Sequence, residues 1–457
     1  MSAALPRVDL PGERRLRSTQ SLCPTCQTVV PAELFVRSGG AADRPLQPDG
    51  SGEDVWIRGR CPEHGPHAAL YYRDATLFEA FDDVVGDYVF CRTFECLKGE
   101  PCDRCLDKTY NVMVEVTNAC NLDCPVCCAD ANSFLAHPDP TIDQIVGRLP
   151  PPQPGRGGKL RRPNIVLFGG EPTVRKDLPE LIEALVARGY IPRLATNGVR
   201  MTDPAYLRRL RDAGLKWVIL QFDGFDDDIA ELLRGERHQA MKEEAIEAMI
   251  AHGFKVQLGT MMVKGVNTHY ADDLIRFACE HDRVFWLSFY PSSLQSRANL
   301  QDGDTHVADM LAEIERHTEG RIRAQDFVDT MKLLARLEGV LRTPNLKQKL
   351  STMPMILFWD GRDYTPLVRL LRPRGWRTGL RLLPRLLRAL PSVLRYQEAY
   401  TPPFLKFLIV EKFHADDALD LEEASNCHMA FVTADHYVPF DLFNIAYKQG
   451  GAWDSAS

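Results

Sequence analysis

The chain has 457 residues, 45% of them hydrophobic and 26% charged, a globular profile too long for one ordinary core. Its 55 Lys and Arg against 62 Asp and Glu leave a net charge of −7, which excludes a chain-wide nucleic-acid-binding surface, so no nucleic-acid partner is expected. Met1 to Gln20 alternates charges and prolines. The best candidate for a span, Phe404 to Val410, contains Lys406 and falls far short of the ~20 residues of a membrane span, so a cytoplasmic location is expected.

The 13 cysteines are concentrated early in the chain. In a reducing compartment such clusters point to metal ligands rather than disulfides. Within residues 1–80, Cys23-Pro24-Thr25-Cys26 and Cys61-Pro62-Glu63-His64 flank a Gly/Pro/Asp-rich loop and the apolar Val55-Trp56-Ile57. This predicts two small hairpins around one ion. Cys23, Cys26, Cys61 and His64 have Cys3His spacing, expected to hold zinc, or iron in a rubredoxin-like site. A closed site of that kind serves folding or docking. Residues 81–110 hold a second group, Cys91, Cys96, Cys102 and Cys105, which suits an auxiliary [4Fe–4S] cluster; a second zinc site is the alternative.

From Asn111 the periodicity changes. Strands are predicted at Asn111 to Thr117, Asn164 to Phe168, Arg193 to Thr196, Lys216 to Phe222, Lys255 to Val263 and Val284 to Tyr290. Helical patterns alternate with them. Asp177 with Glu180 starts one helix that Gly189 stops, and Asp203-Pro204 opens another that Gly214 closes. Strand then helix, six times over, predicts an α/β chain folded as a (β/α)6 partial TIM barrel across 111–300, with chemistry at the C-terminal strand ends. Pro150 to Pro163 reads as a surface loop. Residues 301–457 read as a helical extension that includes a stretch rich in Arg and Leu. From Arg369 to Arg395 that stretch has no acidic residue and contains Trp376. Such a stretch can lie at an anionic membrane surface or pack as an ordinary solvated helix pair.

Cys120-Asn121-Leu122-Asp123-Cys124-Pro125-Val126-Cys127 follows the first barrel strand directly. Three thiolates leave one iron of a cubane open to an exchangeable ligand, whereas four would close it. A zinc loop is the alternative. Gly169-Gly170-Glu171-Pro172 follows the second strand. Its glycines allow close backbone approach to a ligand, and Glu171 is placed to accept from an ammonium.

The triplet Cys120, Cys124, Cys127 with Gly169-Gly170-Glu171 resembles the radical S-adenosylmethionine (SAM) superfamily. The resemblance implies a [4Fe–4S] cluster whose open iron chelates SAM, reductive cleavage of SAM to a 5′-deoxyadenosyl radical, and hydrogen abstraction from an unactivated C–H. It also implies a low-potential electron donor of flavodoxin or ferredoxin type. Thr196-Asn197-Gly198 and Gln221-Phe222-Asp223-Gly224 resemble the strand ends that contact SAM, which implies cofactor-binding roles for Asn197, Gln221 and Asp223. A narrower resemblance runs from about residue 20 to 450. It is to the branch of tetraether and membrane-spanning lipid synthases and class D radical SAM methylases, and it rests also on Val263-Lys264-Gly265-Val266-Asn267 and Cys427-His428. It implies C–C bond formation on a lipid chain presented at a membrane periphery. The alternatives are methylation of a pterin-like molecule, a peptide-modifying maturase, and a non-catalytic iron–sulfur scaffold. The chain departs from the branch at Cys128, where an aromatic residue is usual, in the spacing of the second cysteine group, and at Pro439-Phe440-Asp441, where the branch ends in Pro-Phe-Cys. The last departure puts a C-terminal cluster at Cys427 in question.

Overall fold

The computed structural model describes residues 12–38, 52–86, 111–133, 138–149, 151, 153–154, 160–161, 164–292, 305–341, 352–371, 402–413, 418–427, 429–432 and 437–443. Cys91, Cys96, Cys102, Cys105, His428 and the Arg/Leu-rich stretch from residue 372 lie outside the described residues. The expected auxiliary cluster and the basic stretch's expected surface role therefore fall outside the described residues as well.

Four antiparallel strands, β1 (Glu13–Leu22), β2 (Val29–Ser38), β3 (Glu53–Cys61) and β4 (Gly65–Tyr72), pair in chain order. Because β2 pairs with both neighbours, the turn after β1 and the turn after β3 emerge at the same end of the sheet. Alternation buries Leu34, Val36, Val55 and Ile57. Helix Ala75–Val85 follows, capped by Asp74, whose carboxylate accepts from the Leu77 N–H at 2.9 Å.

The six predicted barrel strands are all present: β5 (Asn111–Thr117), β8 (Asn164–Gly169), β9 (Ile191–Thr196), β10 (Trp217–Gln221), β11 (Lys255–Met262) and β12 (Val284–Pro291). They are parallel neighbours in chain order. Between the first two, the Pro150–Pro163 segment carries only a two-residue pair, β6 (Gln153–Pro154) with β7 (Leu160–Arg161). Helices fill the crossovers. Asp203 caps helix Pro204–Asp212, accepting from the Ala205 and Tyr206 N–H groups at 2.8 and 3.3 Å. Asp177 does not cap helix Leu178–Ala187: its carboxylate is drawn instead to Arg175 by two bonds of 2.8 and 3.0 Å.

The 301–457 extension is helical only in part. Helices Val307–His317 and Ala324–Leu341 are followed by β13 (Thr352–Trp359), β14 (Tyr364–Pro366), β15 (Leu405–Glu411), β16 (Met429–Val432) and β17 (Tyr437–Pro439). These strands extend the sheet at both ends, giving the order β14-β13-β15-β12-β11-β10-β9-β8-β5-β16-β17. β15 joins β12 and β16 joins β5, both parallel. The reason lies in the apolar runs. Met353 to Trp359 and Phe404 to Val410 are short and nearly continuous, the signature of strands buried on both faces. Lys406, the charge inside the second run, is buried and donates to the His281 and Val284 carbonyls at 2.8 and 2.7 Å.

Outward-facing residues of the sheet, such as Leu194, Leu220, Leu258 and Leu287, pack under the helices. The inner face meets a second cluster from the extension: Met113, Val166, Phe168 and Ile219 pack with Leu419, Phe431, Phe440 and Phe443. Leu22 and Val29 of the four-stranded unit join that cluster. Asp420, fully buried, accepts from Thr19 Oγ1 and, at 2.9 Å, from Arg17 Nη2. The N-terminal unit is therefore fastened to the segment that fills the barrel. No helix among the described residues is long and apolar enough to cross a membrane.

Candidate active site and metal centre

The N-terminal ligands converge. The donor atoms of Cys23, Cys26, Cys61 and His64 lie within 4.8 Å of one another. Cys26 Sγ is 3.7 Å from Cys61 Sγ, and His64 Nδ1 is 3.7 Å from Cys23 Sγ and 3.6 Å from Cys61 Sγ. Zinc bonds of about 2.3 Å to sulfur and 2.0–2.1 Å to nitrogen, at tetrahedral angles, put ligand atoms roughly 3.8 Å (S–S) and 3.6 Å (S–N) apart. The set fits one tetrahedral ion with no open position. The first knuckle is prepared by its backbone: Cys23 N–H donates to the Thr28 carbonyl at 2.9 Å, and Gln27, at φ +55°, returns to the Cys23 carbonyl at 2.8 Å. The Cys26 N–H holds the Cys23 thiol down to about 7, which favours the thiolate a metal needs.

Cys120, Cys124 and Cys127 sit half-buried on the loop after β5. Burial pushes the Cys120 thiol up to about 11 and raises Cys124, against which Arg234 acts. Bound iron would relieve that penalty. Two backbone N–H groups already point at sulfur, Leu122 to Cys120 Sγ at 3.4 Å and Ala131 to Cys127 Sγ at 3.5 Å. Such donors stabilise a cluster's thiolates and tune its potential. Asn132 pins the loop from inside: its Oδ1 accepts from Cys120 N–H at 2.9 Å and its Nδ2 donates to the Leu122 carbonyl at 3.2 Å. Three thiols on one loop, two of them with an N–H donor aimed at the sulfur, fit a [4Fe–4S] cluster with an open iron.

Gly169 and Gly170 make a close approach to the chain itself. A Cβ at Gly169 would meet the Thr117 carbonyl at 2.1 Å, and one at Gly170 the Ala119 carbonyl at 2.2 Å. The Gly170 and Glu171 N–H groups donate to those same two carbonyls at 2.8 Å. The motif thus presses the end of β8 against the start of the cysteine loop.

The Glu171 carboxylate is also turned inward. It is buried and accepts from Thr173 N–H at 3.0 Å, Thr173 Oγ1 at 2.6 Å, Thr196 Oγ1 at 2.8 Å and Asn197 N–H at 2.7 Å. Asn197 in turn donates from Nδ2 to Asn121 Oδ1 at 2.8 Å, with Cys120 Sγ at 3.9 Å. Gln221 donates to Asp223. Asp223 accepts bidentately from Arg234 at 2.7 and 3.0 Å and from Met261 N–H at 2.9 Å. Asn197, Gln221 and Asp223 therefore gather with Glu171 beneath the cysteine loop, as a mutually bonded frame. Charged hydrogen bonds inside a low-dielectric site are strong when every lone pair is met.

Three residues of this frame carry no motif. Arg234, from helix Asp227–Arg234, also donates to the Val126 carbonyl at 3.1 Å and so ties Asp223 to the cysteine loop. Lys242, buried in the first turn of helix Gln239–Ala251, reaches the ends of β9 and β10. Asn132 is the loop's internal brace. Their residue types are ordinary, and nothing in the local sequence singles them out. Of the remaining cysteines, Cys128 is half-buried beside the triplet, and Cys427 is buried in the apolar cluster with Leu419 and Phe431.

Comparisons agree with this division. Residues 114–278 match the radical SAM superfamily, and residues 15–73 match the HMPTM N-terminal zinc ribbon domain. The 7,8-dihydro-6-hydroxymethylpterin dimethyltransferase of Methanocaldococcus jannaschii is 33% identical over 329 residues, covering 68% of this chain and 60% of that protein. A GTP 3′,8-cyclase of Tolumonas auensis is 32% identical, covering 43% of this chain and 54% of that protein. The chain thus spans between half and two thirds of the length of these two relatives. The Streptococcus suis protein SuiB, solved with bound S-adenosylmethionine, aligns with a TM-score of 0.36 and 18% identity, covering 46% of this chain and 47% of that one.

Proposed function

From a chain whose barrel is a radical SAM domain and whose N-terminus is a zinc ribbon, we propose that this enzyme abstracts hydrogen from a C–H bond of a small pterin-like heterocycle on the way to its methylation. The observation that carries this reading is the 33% identity to a pterin dimethyltransferase across 68% of the chain. A [4Fe–4S] cluster on Cys120, Cys124 and Cys127 would supply one electron, drawn from a flavodoxin- or ferredoxin-type donor, to release the carbon radical of S-adenosylmethionine. The chain's own work is to hold the cysteine loop open on one side. Glu171, Asp223 and Arg234 fix that geometry from beneath, and the packed extension excludes water from below.

The inner wall of the barrel supports a small polar substrate over a lipid chain. Gln257 Nε2 donates to Ser288 Oγ at 3.0 Å, on the face opposite the outward-packed Leu258, Leu287 and Phe289. Tyr290, two residues on, stacks on Phe413 with ring centroids 5.5 Å apart and planes at 15°. Burial and the nearby Glu411 carboxylate both push the Tyr290 phenol up. An acyl or isoprenoid chain laid along this strip would meet hydroxyl, amide and carboxylate groups to which it cannot bond. A flat heterocycle can stack on the aromatic pair and bond to the polar groups. The first arginine of the basic stretch is likewise committed inward, since Arg369 donates to Asp326 and to the Gly320 carbonyl.

The test is anaerobic incubation of the reconstituted, reduced protein with S-adenosylmethionine and 6-hydroxymethyl-7,8-dihydropterin. The pterin is expected to raise 5′-deoxyadenosine production at least tenfold, with deuterium passing from labelled pterin into the nucleoside. Stimulation by an isoprenoid lipid, with none by the pterin, would return the assignment to the lipid-synthase reading.

A further inference from the structure

The ladder between β9 and β10 stops one residue short of Asn197 and Gln221. Its last register pair is Thr196↔Leu220, while β10 stays paired with β11 one step further, at Gln221↔Gly259. Asn197 and Gln221 therefore stand at a fork where two parallel strands part. Parting strands leave carbonyls without ladder partners, and buried carbonyls need donors. The Lys242 ammonium occupies the fork. Its Nζ donates to the Asn197 carbonyl, to the Gln221 carbonyl at 2.9 Å and to Gln221 Oε1 at 2.7 Å. Three acceptors match the three protons of an ammonium. Lys242 is 2% exposed, a placement that a lysine tolerates only when paired.

The surroundings are built for this side chain. Gly198, at φ +86°, has no Cβ; one there would meet Leu220 Cδ1 at 2.6 Å and Lys242 Cδ at 3.8 Å. The glycine of Thr196-Asn197-Gly198 thus leaves room for Leu220 at a left-handed turn, with the lysine stem in ordinary contact beside it. With Lys242 in place, Asn197 is held at its remaining polar atoms as well: its N–H by Glu171, its Nδ2 by Asn121, and its Oδ1 by the Val199 N–H at 3.1 Å. Gln221 is held by Lys242 at Oε1 and by Asp223 at Nε2.

We infer that Lys242 is a positioning residue of the S-adenosylmethionine site: its ammonium wedges the ends of β9 and β10 apart and sets Asn197 and Gln221 at the spacing the cofactor requires. This rests on the radical SAM reading of the site. Removing the ammonium would leave two part-buried carbonyls and an amide oxygen unmet, and the fork would close or admit water. The cysteine loop has its own fastenings at Asn132 and Arg234, so cluster assembly does not depend on Lys242.

The experiment compares Lys242→Met, Lys242→Arg and Gln221→Leu with wild type as reconstituted holoproteins. It reads iron content, S-adenosylmethionine affinity, the change in the reduced cluster's EPR spectrum when S-adenosylmethionine is added, and the split between KM and kcat for uncoupled cleavage. Lys242→Met is expected to keep its iron and weaken S-adenosylmethionine binding about tenfold or more, a loss of about 1.4 kcal/mol or more. The EPR response should shrink in step. Lys242→Arg, which retains a cation, should recover to within about threefold of wild type, and Gln221→Leu should lose roughly two- to fivefold through KM. If Lys242→Met binds S-adenosylmethionine and shifts the EPR spectrum like wild type, Lys242 is only a packing residue, whatever its melting temperature. Should Lys242→Met not fold, wild-type affinity in Gln221→Leu together with no recovery in Lys242→Arg overturns the inference. If wild type itself neither binds nor responds to S-adenosylmethionine, the radical SAM reading fails instead.

Discussion

The two cysteine sites solve opposite problems. In the ribbon, two stiff hairpins present Cys23, Cys26, Cys61 and His64 from the same sheet end, and the four donors already stand at tetrahedral spacing. The backbone does the positioning, and every coordination place is used. In the barrel, one loop carries all three thiols, and side chains from other elements fix its shape: Asn132 from inside, Arg234 and Asn197 from beneath. A closed site can be built by local backbone alone. An open site needs outside support on its closed side, because nothing bridges the open one.

The strongest way to break this comparison is to remove the barrel thiols. Cys120→Ala/Cys124→Ala/Cys127→Ala is expected to reduce 5′-deoxyadenosine formation to the level of a protein-free control while leaving the ribbon's metal in place. Iron and zinc analysis alongside the nucleoside assay checks both halves. Residual nucleoside above that control would remove the cluster assignment, and loss of the ribbon's ion would show that the two sites are not independent.

A smaller effect tests the support beneath the loop. Asp223 and Arg234 form a buried bidentate pair, with side chains 4% and 10% exposed. Arg234→Met leaves a buried carboxylate without its partner and should cost about 3–5 kcal/mol in denaturant unfolding. Asp223→Asn/Arg234→Met should recover part of that loss, because no uncompensated charge remains. Equal destabilisation in single and double variants would mean that the pair's charges do not couple and that the arginine acts through packing.

What was legible in the sequence follows the same division. The Cys120 triplet, the Gly-Gly-Glu turn and the Cys3His set were readable because their chemistry demands particular residue types at short spacing. The six barrel strands were readable because each keeps its own apolar period and turn residues. Arg234 and Lys242 were not. They lie over a hundred positions from the cysteine loop, and a lysine in Gln239-Ala240-Met241-Lys242-Glu243-Glu244 looks like any solvated helix face. Only the fork between β9 and β10 shows why it is buried. The strands of the extension were missed for a related reason. Phe404 to Val410 has the composition of a strand, but its partner β12 is distant in sequence, and no local pattern names a partner. The Gly-Gly pair announces a close backbone approach, but no local pattern names Thr117 and Ala119 as the chain partners of that approach.

The finest test asks how much of the ribbon's site is backbone. His64 is exposed at the rim of the second knuckle, and its Nδ1 lies 3.6–3.7 Å from two of the cysteine sulfurs. Nδ1 is the ring nitrogen nearer the backbone, so a shorter cysteine side chain with a longer metal–sulfur bond spans nearly the same gap. Gly65, at φ +79°, ends the turn without a Cβ and lets the 61–64 knuckle keep its shape when the side chain changes. His64→Cys is therefore expected to retain one ion per chain, with a melting temperature within about 2–4 °C of wild type, the shift that roughly 1 kcal/mol makes in a domain of 150–250 residues and an upper bound for this longer chain. His64→Ala should lose the ion, since three ligands leave a structural site open to chelators. Loss of metal in both variants would show that the histidine's geometry, and not the hairpin frame, sets the site. The contrast between ribbon and loop would then rest on side chains in both places.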